Sequence, residues 1–268
     1  MKSFYLLLFS LFLSTTLFAQ DYAIEQLENS PRHHEWVEIE SNGRTLLTFV
    51  AYPEVSENAT VVLVIHENRG LNDWARSFAD QLAEKGFIAV APDLISNTVE
   101  GFEKTSDFPT SDEARSAIYG LEPDFVTEDL KQVLSYANSI KASNGNVVVA
   151  GFCWGGSQSF RFATNVENEI EAALVFYGTG PSEEADYSRI EIPVYGFYGG
   201  NDNRVNSTIE MSELAMEKFE NNYLYEIYEG AGHAFMRSGD NPELESDHPN
   251  KMARDKSWEK LVEVLANL

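Results

Sequence analysis

Val147-Val148-Val149-Ala150-Gly151-Phe152-Cys153-Trp154-Gly155-Gly156 is the stretch whose reading decides the fold. A run of β-branched and small apolar residues stops in Gly-x-Cys-x-Gly-Gly, the pattern of a buried strand turning sharply into a helix. It is the sulfur version of the nucleophile elbow G-x-S-x-G, in which a strained turn lifts the nucleophile above the carboxyl end of a sheet. Residues two before and two after such a nucleophile pack on each other, so a Cβ at either would clash; hence Gly151 and Gly155. The thiol then lies at a helix N-terminus, whose dipole and free amides are expected to favour the thiolate. Cys153 is the only cysteine in the chain. It can form no internal disulfide, and at an elbow a lone thiol reads as a reactive group.

Upstream, residues 61–65 form an apolar run typical of a strand buried on both faces. The run ends in the polar loop His66-Glu67-Asn68-Arg69-Gly70-Leu71. Asn72 or Asp73 then caps a helix through Trp74, Phe78 and Leu82 that stops at Gly86, and residues 87–91 make another buried strand. Before these, residues 35–40 and 44–52 alternate as two strands joined at Ser41-Asn42-Gly43, a hairpin signal. Thr110 and Glu113 make a capping box for a short helix that carries Arg115 and Tyr119 four apart on one face. Pro123 opens a longer amphipathic helix.

Downstream, residues 172–177 and 193–198 read as buried strands, the second running into Gly199-Gly200-Asn201-Asp202. Residues 223–228 form the last strand, ending at Gly230-Ala231-Gly232-His233-Ala234-Phe235-Met236-Arg237, and a helix over about 250–267 closes the chain. Strands alternating with helices imply an α/β fold: a doubly covered, mostly parallel sheet of about eight strands with an N-terminal hairpin, the α/β-hydrolase fold. Ligands of such sheets bind beyond the carboxyl ends of the strands.

Cys153, Asp202 and His233 occur in the nucleophile–acid–histidine order of α/β-hydrolases, each after a strand. In that arrangement the thiolate attacks an ester carbonyl. His233 partners it and later activates water, and Asp202 orients the imidazole. The backbone amide of Trp154 is the expected oxyanion donor, and a second is expected from Asn68.

Charge and the chain ends set further bounds. With 43 acidic against 19 basic residues, the formal net charge is −24; such a charge argues against nucleic acid or an anionic membrane as a partner. Lys2, an apolar run over residues 4–13 and Leu17-Phe18-Ala19 read as a secretory signal cut after Ala19. The run is shorter than the roughly 20 residues a membrane span needs. The expectation is therefore a periplasmic or secreted monomer, with residues 20–268 as a single domain. Residues 20–34 read as a loose arm, and His33-His34 as solvated rather than metal-binding.

Taken together, His66-Glu67-x-x-Gly70-Leu71, Ala91-Pro92-Asp93, Gly151-Phe152-Cys153-Trp154-Gly155-Gly156, Gly200-x-Asp202 and Gly232-His233-x-Phe235 resemble the dienelactone hydrolase family. The resemblance runs from about Val61 to the C-terminal helix. It implies a cysteine nucleophile, no metal or organic cofactor, and a Glu67 that contacts the thiol and takes its proton when an anionic substrate binds. It also implies that Arg115, with Tyr119, and Arg237 hold a substrate carboxylate. Ala234, Trp154 and the pair Asn68-Arg69 depart from the family's usual residues. The function implied is hydrolysis of small esters or lactones, carboxylate-bearing ones in particular, through a thioester. The alternatives are a general carboxylesterase acting on neutral esters and a non-catalytic binding protein on the same scaffold.

Overall fold

The computed structural model describes residues 15–268. In chain order the elements are α1 (Thr15–Asn29), β1 (His33–Ser41), β2 (Arg44–Tyr52), β3 (Ala59–Ile65), α2 (Asp73–Glu84), β4 (Ile88–Pro92), α3 (Ser111–Tyr119), α4 (Pro123–Ser139), β5 (Ser143–Phe152), α5 (Trp154–Ala163) and β6 (Ala172–Phe176). There follow β7 (Val194–Gly199), α6 (Asn203–Asn206), α7 (Ile209–Lys218), β8 (Tyr223–Tyr228), α8 (Phe235–Ser238) and α9 (Pro249–Ala266). The eight strands make one sheet in the order β1-β2-β4-β3-β5-β6-β7-β8. The β1–β2 and β2–β4 pairs are antiparallel, and the other pairs are parallel. The expected fold class is thus observed.

Strand alternation explains the two layers. Val62 and Val64 of β3 with Val148 and Ala150 of β5 face a core built with Trp74 and Phe78 of α2 and Trp258 and Leu261 of α9. Val61, Leu63 and Ile65 with Val147 and Val149 face the opposite side, against Leu130 and Val133 of α4 and Phe160 and Phe162 of α5. Each such side chain fully buried contributes on the order of 1.5–3 kcal/mol, so the uninterrupted valine runs fit only a strand covered on both faces. Local signals behave as read: Asn72 accepts from the Ala75 amide and Thr110 from the Glu113 amide.

The topology sets the site. Chain order reverses about β3, which has β4 on one side and β5 on the other. The loops after β3 and β5 therefore leave the sheet side by side at its carboxyl edge, the crevice where α/β sheets bind ligands.

The N-terminal segment departs from expectation. Residues 20–34 are no loose arm: α1 packs on α2 with Ala23 buried, and the segment converges on Asp80, whose side chain is wholly buried. Gln26 and Ser30 donate to that carboxylate, Arg32 donates through two nitrogens, and His34 Nε2 lies 2.8 Å away. His34 is thus an anchor, while His33 stays exposed. A buried carboxylate 46 to 54 positions further on leaves no local pattern from which this docking could be read. The apolar run proposed as a signal lies outside the described residues. Among the described residues, no helix is long and apolar enough to cross a membrane.

Candidate active site

Cys153 occupies the turn between β5 and α5 with φ 56° and ψ −115°, a region sparsely populated by non-glycine residues and characteristic of strained functional positions. The surroundings hold it there. Its amide donates to the Phe176 carbonyl at 3.0 Å. A Cβ on Gly151 would lie 1.9 Å from the Gly155 oxygen, and one on Gly155 would lie 2.3 Å from the His66 oxygen. The two glycines let the elbow close against both its own helix and the loop after β3.

The thiol meets His233. Its Sγ lies 3.1 Å from His233 Nε2, and His233 Nδ1 lies 2.5 Å from Asp202 Oδ2. Asp202 is 7% exposed and also caps α6 by accepting from the Val205 amide. A carboxylate can only accept, so Nδ1 carries the proton and Nε2 is free to accept from sulfur. The backbone amides of Trp154 and Asn68 favour the ionised form of the sulfur. The residues expected as nucleophile, acid, base and oxyanion donors thus converge on one point from the ends of β5, β7, β8 and β3.

The helix N-terminus does not decide the protonation state. Burial, and then the charge of Glu67, push the Cys153 thiol up to about 11, against the opposing pull of the Trp154 and Asn68 amides and of Arg204. The resting sulfur is a thiol donating to His233, because desolvation and a neighbouring anion outweigh the helix N-terminus.

Glu67 is 3% exposed. Its Oε1 accepts from the Tyr177 hydroxyl at 3.1 Å and its Oε2 from Arg237 Nε at 2.8 Å. It acts on the thiol through its charge, while its oxygens are engaged elsewhere. Arg237, expected on a substrate carboxylate, forms a buried ion pair with Glu67, which holds the guanidinium firmly charged. The short α8 turns it inward. Arg115 is likewise not where it was expected. It is half exposed, pairs with Asp112 one turn earlier on α3, and does not line the cavity. Tyr119 does line it, with its hydroxyl 3.4 Å from Asn68 Nδ2.

The cavity over the thiol has a volume of about 490 Å³. Cys153, Trp154, His233, Ser157, Thr179 and Arg204 line it. Two residues here escaped the sequence reading. Tyr177 looked like the last apolar residue of a strand; it has φ 41°, is fully buried, and packs edge-on against His233 with ring centroids 5.1 Å apart. Arg204 follows Asp202 by two residues, a spacing that could have drawn notice. His66, beside Glu67, is structural. Burial lowers it to about 4, Nδ1 donates to the Glu67 carbonyl, and Nε2 accepts from the Leu94 amide. Its ring stacks on Trp154, 5.6 Å between centroids. Among the described residues, no group of three or more His, Cys, Asp or Glu side chains is arranged to hold a metal ion.

Comparisons with known proteins bear on the family and the fold. The model of the dienelactone hydrolase family matches residues 46–268. A carboxymethylenebutenolidase of Pseudomonas putida is 30% identical over 212 residues, covering 76% of this chain and 86% of its own. A dienelactone hydrolase-like promiscuous phosphotriesterase from metagenomic libraries superposes with a TM-score of 0.73 at 22% identity, over 88% of this chain and 98% of its own. An esterase of Pyrobaculum calidifontis superposes with a TM-score of 0.60 at 14% identity, over 90% and 93% of the two chains. The two superpositions speak for the fold alone.

Proposed function

The chain belongs to the dienelactone hydrolase family, and on that footing we propose that it hydrolyses small esters or lactones through a thioester on Cys153. The observation that carries the reading is the unbroken line from Cys153 Sγ to His233 Nε2 to Asp202, with two backbone amides at the sulfur. As Sγ attacks the carbonyl carbon, its proton passes to His233 Nε2, and Asp202 stabilises the imidazolium. The carbonyl oxygen, now an anion, takes up the Trp154 and Asn68 amides, each such donor being worth about 2.7–4 kcal/mol in the transition state. Collapse breaks the C–O bond, and the leaving alkoxide takes the proton back from Nε2; in a lactone it stays tethered to the acyl group. His233 then removes a proton from water as the water attacks the thioester, and the second collapse releases the acid and the thiol.

Glu67 keeps the sulfur protonated until substrate arrives, with Arg237 and Tyr177 fixing the carboxylate. A resting thiol protects the lone cysteine from oxidation, since the thiolate is the reactive form. That suits the exported location proposed here, with a mature chain beginning at Gln20. Cleavage there removes the first residues of α1 and leaves the contacts of Ala23 and Gln26 intact.

The test is a panel of lactones and p-nitrophenyl esters. Cys153→Ala should lower kcat by about a thousandfold or more, and adding His233→Ala should cost little further, because the pair acts as one unit. Near-normal turnover by Cys153→Ala would end the thiol mechanism.

A further inference from the structure

We propose that Thr105, held by Asp93, is a positioning residue for the reaction: it fixes the loop that carries the Asn68 amide. This rests on the hydrolase reading above. The loop, residues 66–71, follows β3 and belongs to no helix or strand, so no ladder of backbone bonds sets the direction of its amides. Its own bonds are few: the Gly70 amide donates to the Glu67 carbonyl at 3.3 Å, and the Asn72 amide to the Gly70 carbonyl at 2.9 Å. The segment after β4 adds to them. Thr105 Oγ1 accepts from the Leu71 amide at 3.0 Å and donates to Asp93 Oδ1 at 2.7 Å, while the Thr105 amide donates to Asp93 Oδ2 at 2.6 Å. Asp93 and Thr105 are both buried, and Asp93 directly follows a strand in the middle of the sheet. The loop is thereby tied to the rigid core through one hydroxyl.

The tie admits one arrangement. A carboxylate only accepts, so the Thr105 hydroxyl proton lies toward Asp93 and a lone pair is left for the Leu71 amide. Gly70 has φ 76°, and a Cβ there would lie 2.2 Å from Thr105 Oγ1, so the backbone of the loop presses directly on the hydroxyl. The other end of the loop is bonded to the same segment, where the buried His66 accepts through Nε2 from the Leu94 amide at 3.3 Å. Residues 66 and 71 are thus both held by the chain at 93–105, and Asn68 lies between the two ties. Neither Asp93 nor Thr105 lines the cavity over the thiol, so their effect reaches the reaction only through the loop. An oxyanion donor is effective when it is already aimed at the place where charge develops, and a displacement of about 1 Å can cost about a hundredfold in rate.

Two reactions of the same sulfur separate this role from a merely structural one. p-Nitrophenyl acetate acylates Cys153 by way of an oxyanion and releases p-nitrophenolate, whereas iodoacetamide alkylates it with loss of iodide and forms no oxyanion. Both need the thiolate, so the ratio of the two rates reports the oxyanion donors. Thr105→Val keeps the shape of the side chain and removes its hydroxyl. In that variant the acylation-to-alkylation ratio should fall about ten- to a hundredfold, and amide hydrogen exchange over residues 66–71 should quicken while the sheet stays protected. Thr105→Ser retains the hydroxyl and should keep most of the ratio. If Thr105→Val does not fold, Asp93→Asn carries the same comparison with a smaller fall, since it keeps the shape of the carboxylate and loses one of its two bonds to Thr105. An unchanged ratio in the folded variant overturns the proposal, as does an equal fall in Thr105→Ser. Either result leaves the hydrolase reading intact, whereas a wild type that takes no acyl group on Cys153 ends that reading and this proposal together.

Discussion

Glu67→Gln should make Cys153 more reactive, although it removes a buried group from the site. The thiol is pushed up to about 11 by burial and by the Glu67 charge. Glutamine is isosteric, can still accept from Tyr177, and leaves burial unchanged, so only the negative charge is lost. Arg237 then stands unpaired and pulls in the same direction. A unit charge a few ångströms away moves a thiol by about one to three pH units, a ten- to thousandfold change in thiolate fraction at neutral pH. A less basic thiolate is a weaker nucleophile, with a Brønsted slope of about 0.4–0.5, which returns roughly threefold for each tenfold gained. The net expectation is alkylation by iodoacetamide about 3- to 50-fold faster at pH 7. The assay is pseudo-first-order inactivation across a pH series, with thiolate absorbance in the ultraviolet as the independent readout of ionisation. In the wild type both should keep rising with pH beyond 9, because the midpoint is near 11. An unchanged midpoint in Glu67→Gln, or a slower reaction at every pH, would refute the argument that the Glu67 charge restrains the thiol.

Three further perturbations follow from the geometry. Arg237→Ala leaves Glu67 buried and unpaired, so stability should fall by about 3 kcal/mol in urea unfolding; charged and neutral esters should lose activity equally, and a loss confined to anionic substrates would return Arg237 to the role first expected of it. Gly155→Ala forces a Cβ against the His66 and Ile65 carbonyls, and should cost about 3 kcal/mol or more and abolish turnover; a variant as stable and active as the parent would mean the elbow is looser than described. Burial pushes the Asp80 carboxyl up, but bonds from Arg32, Ser30, Gln26 and His34 hold it well below its usual range. Its contribution to stability is therefore complete above about pH 4 and lost as pH falls below that. Asp80→Asn should lower stability by about 3 kcal/mol at pH 7 and flatten the acid limb of the stability curve, which thermal melts across pH will read.

The sheet was legible because its strands are buried on both faces and so spell continuous apolar runs, each ended by a polar loop. The contact of Cys153, His233 and Asp202 was legible for a related reason: all three sit where such runs stop, and glycines mark the turns that expose them. Arginine direction was not. Arg115 and Tyr119 share a helix face, yet the spacing does not say that Tyr119 lines the cavity while Arg115 turns to Asp112. Arg237 lies four residues past His233, but its partner Glu67 is 170 positions away. Tyr177 was concealed by its own burial, since a tyrosine at a strand end looks like core until its hydroxyl is seen on Glu67. The state of the thiol depends on the balance between helix amides and desolvation, and sequence reveals only the amides. Arg204 was passed over because a cation in an exposed turn is ordinary until it proves to line the cavity.

The central claim is that the substrate's acyl group passes through the sulfur of Cys153. Intact-mass measurement during turnover of an activated ester, followed by peptide mapping, tests it directly. The account predicts a transient mass increase equal to the acyl group, located on Cys153, absent from Cys153→Ala and persisting longer in His233→Ala, where no base activates water. An acyl group mapped to another residue, or hydrolysis continuing in Cys153→Ala, would contradict it.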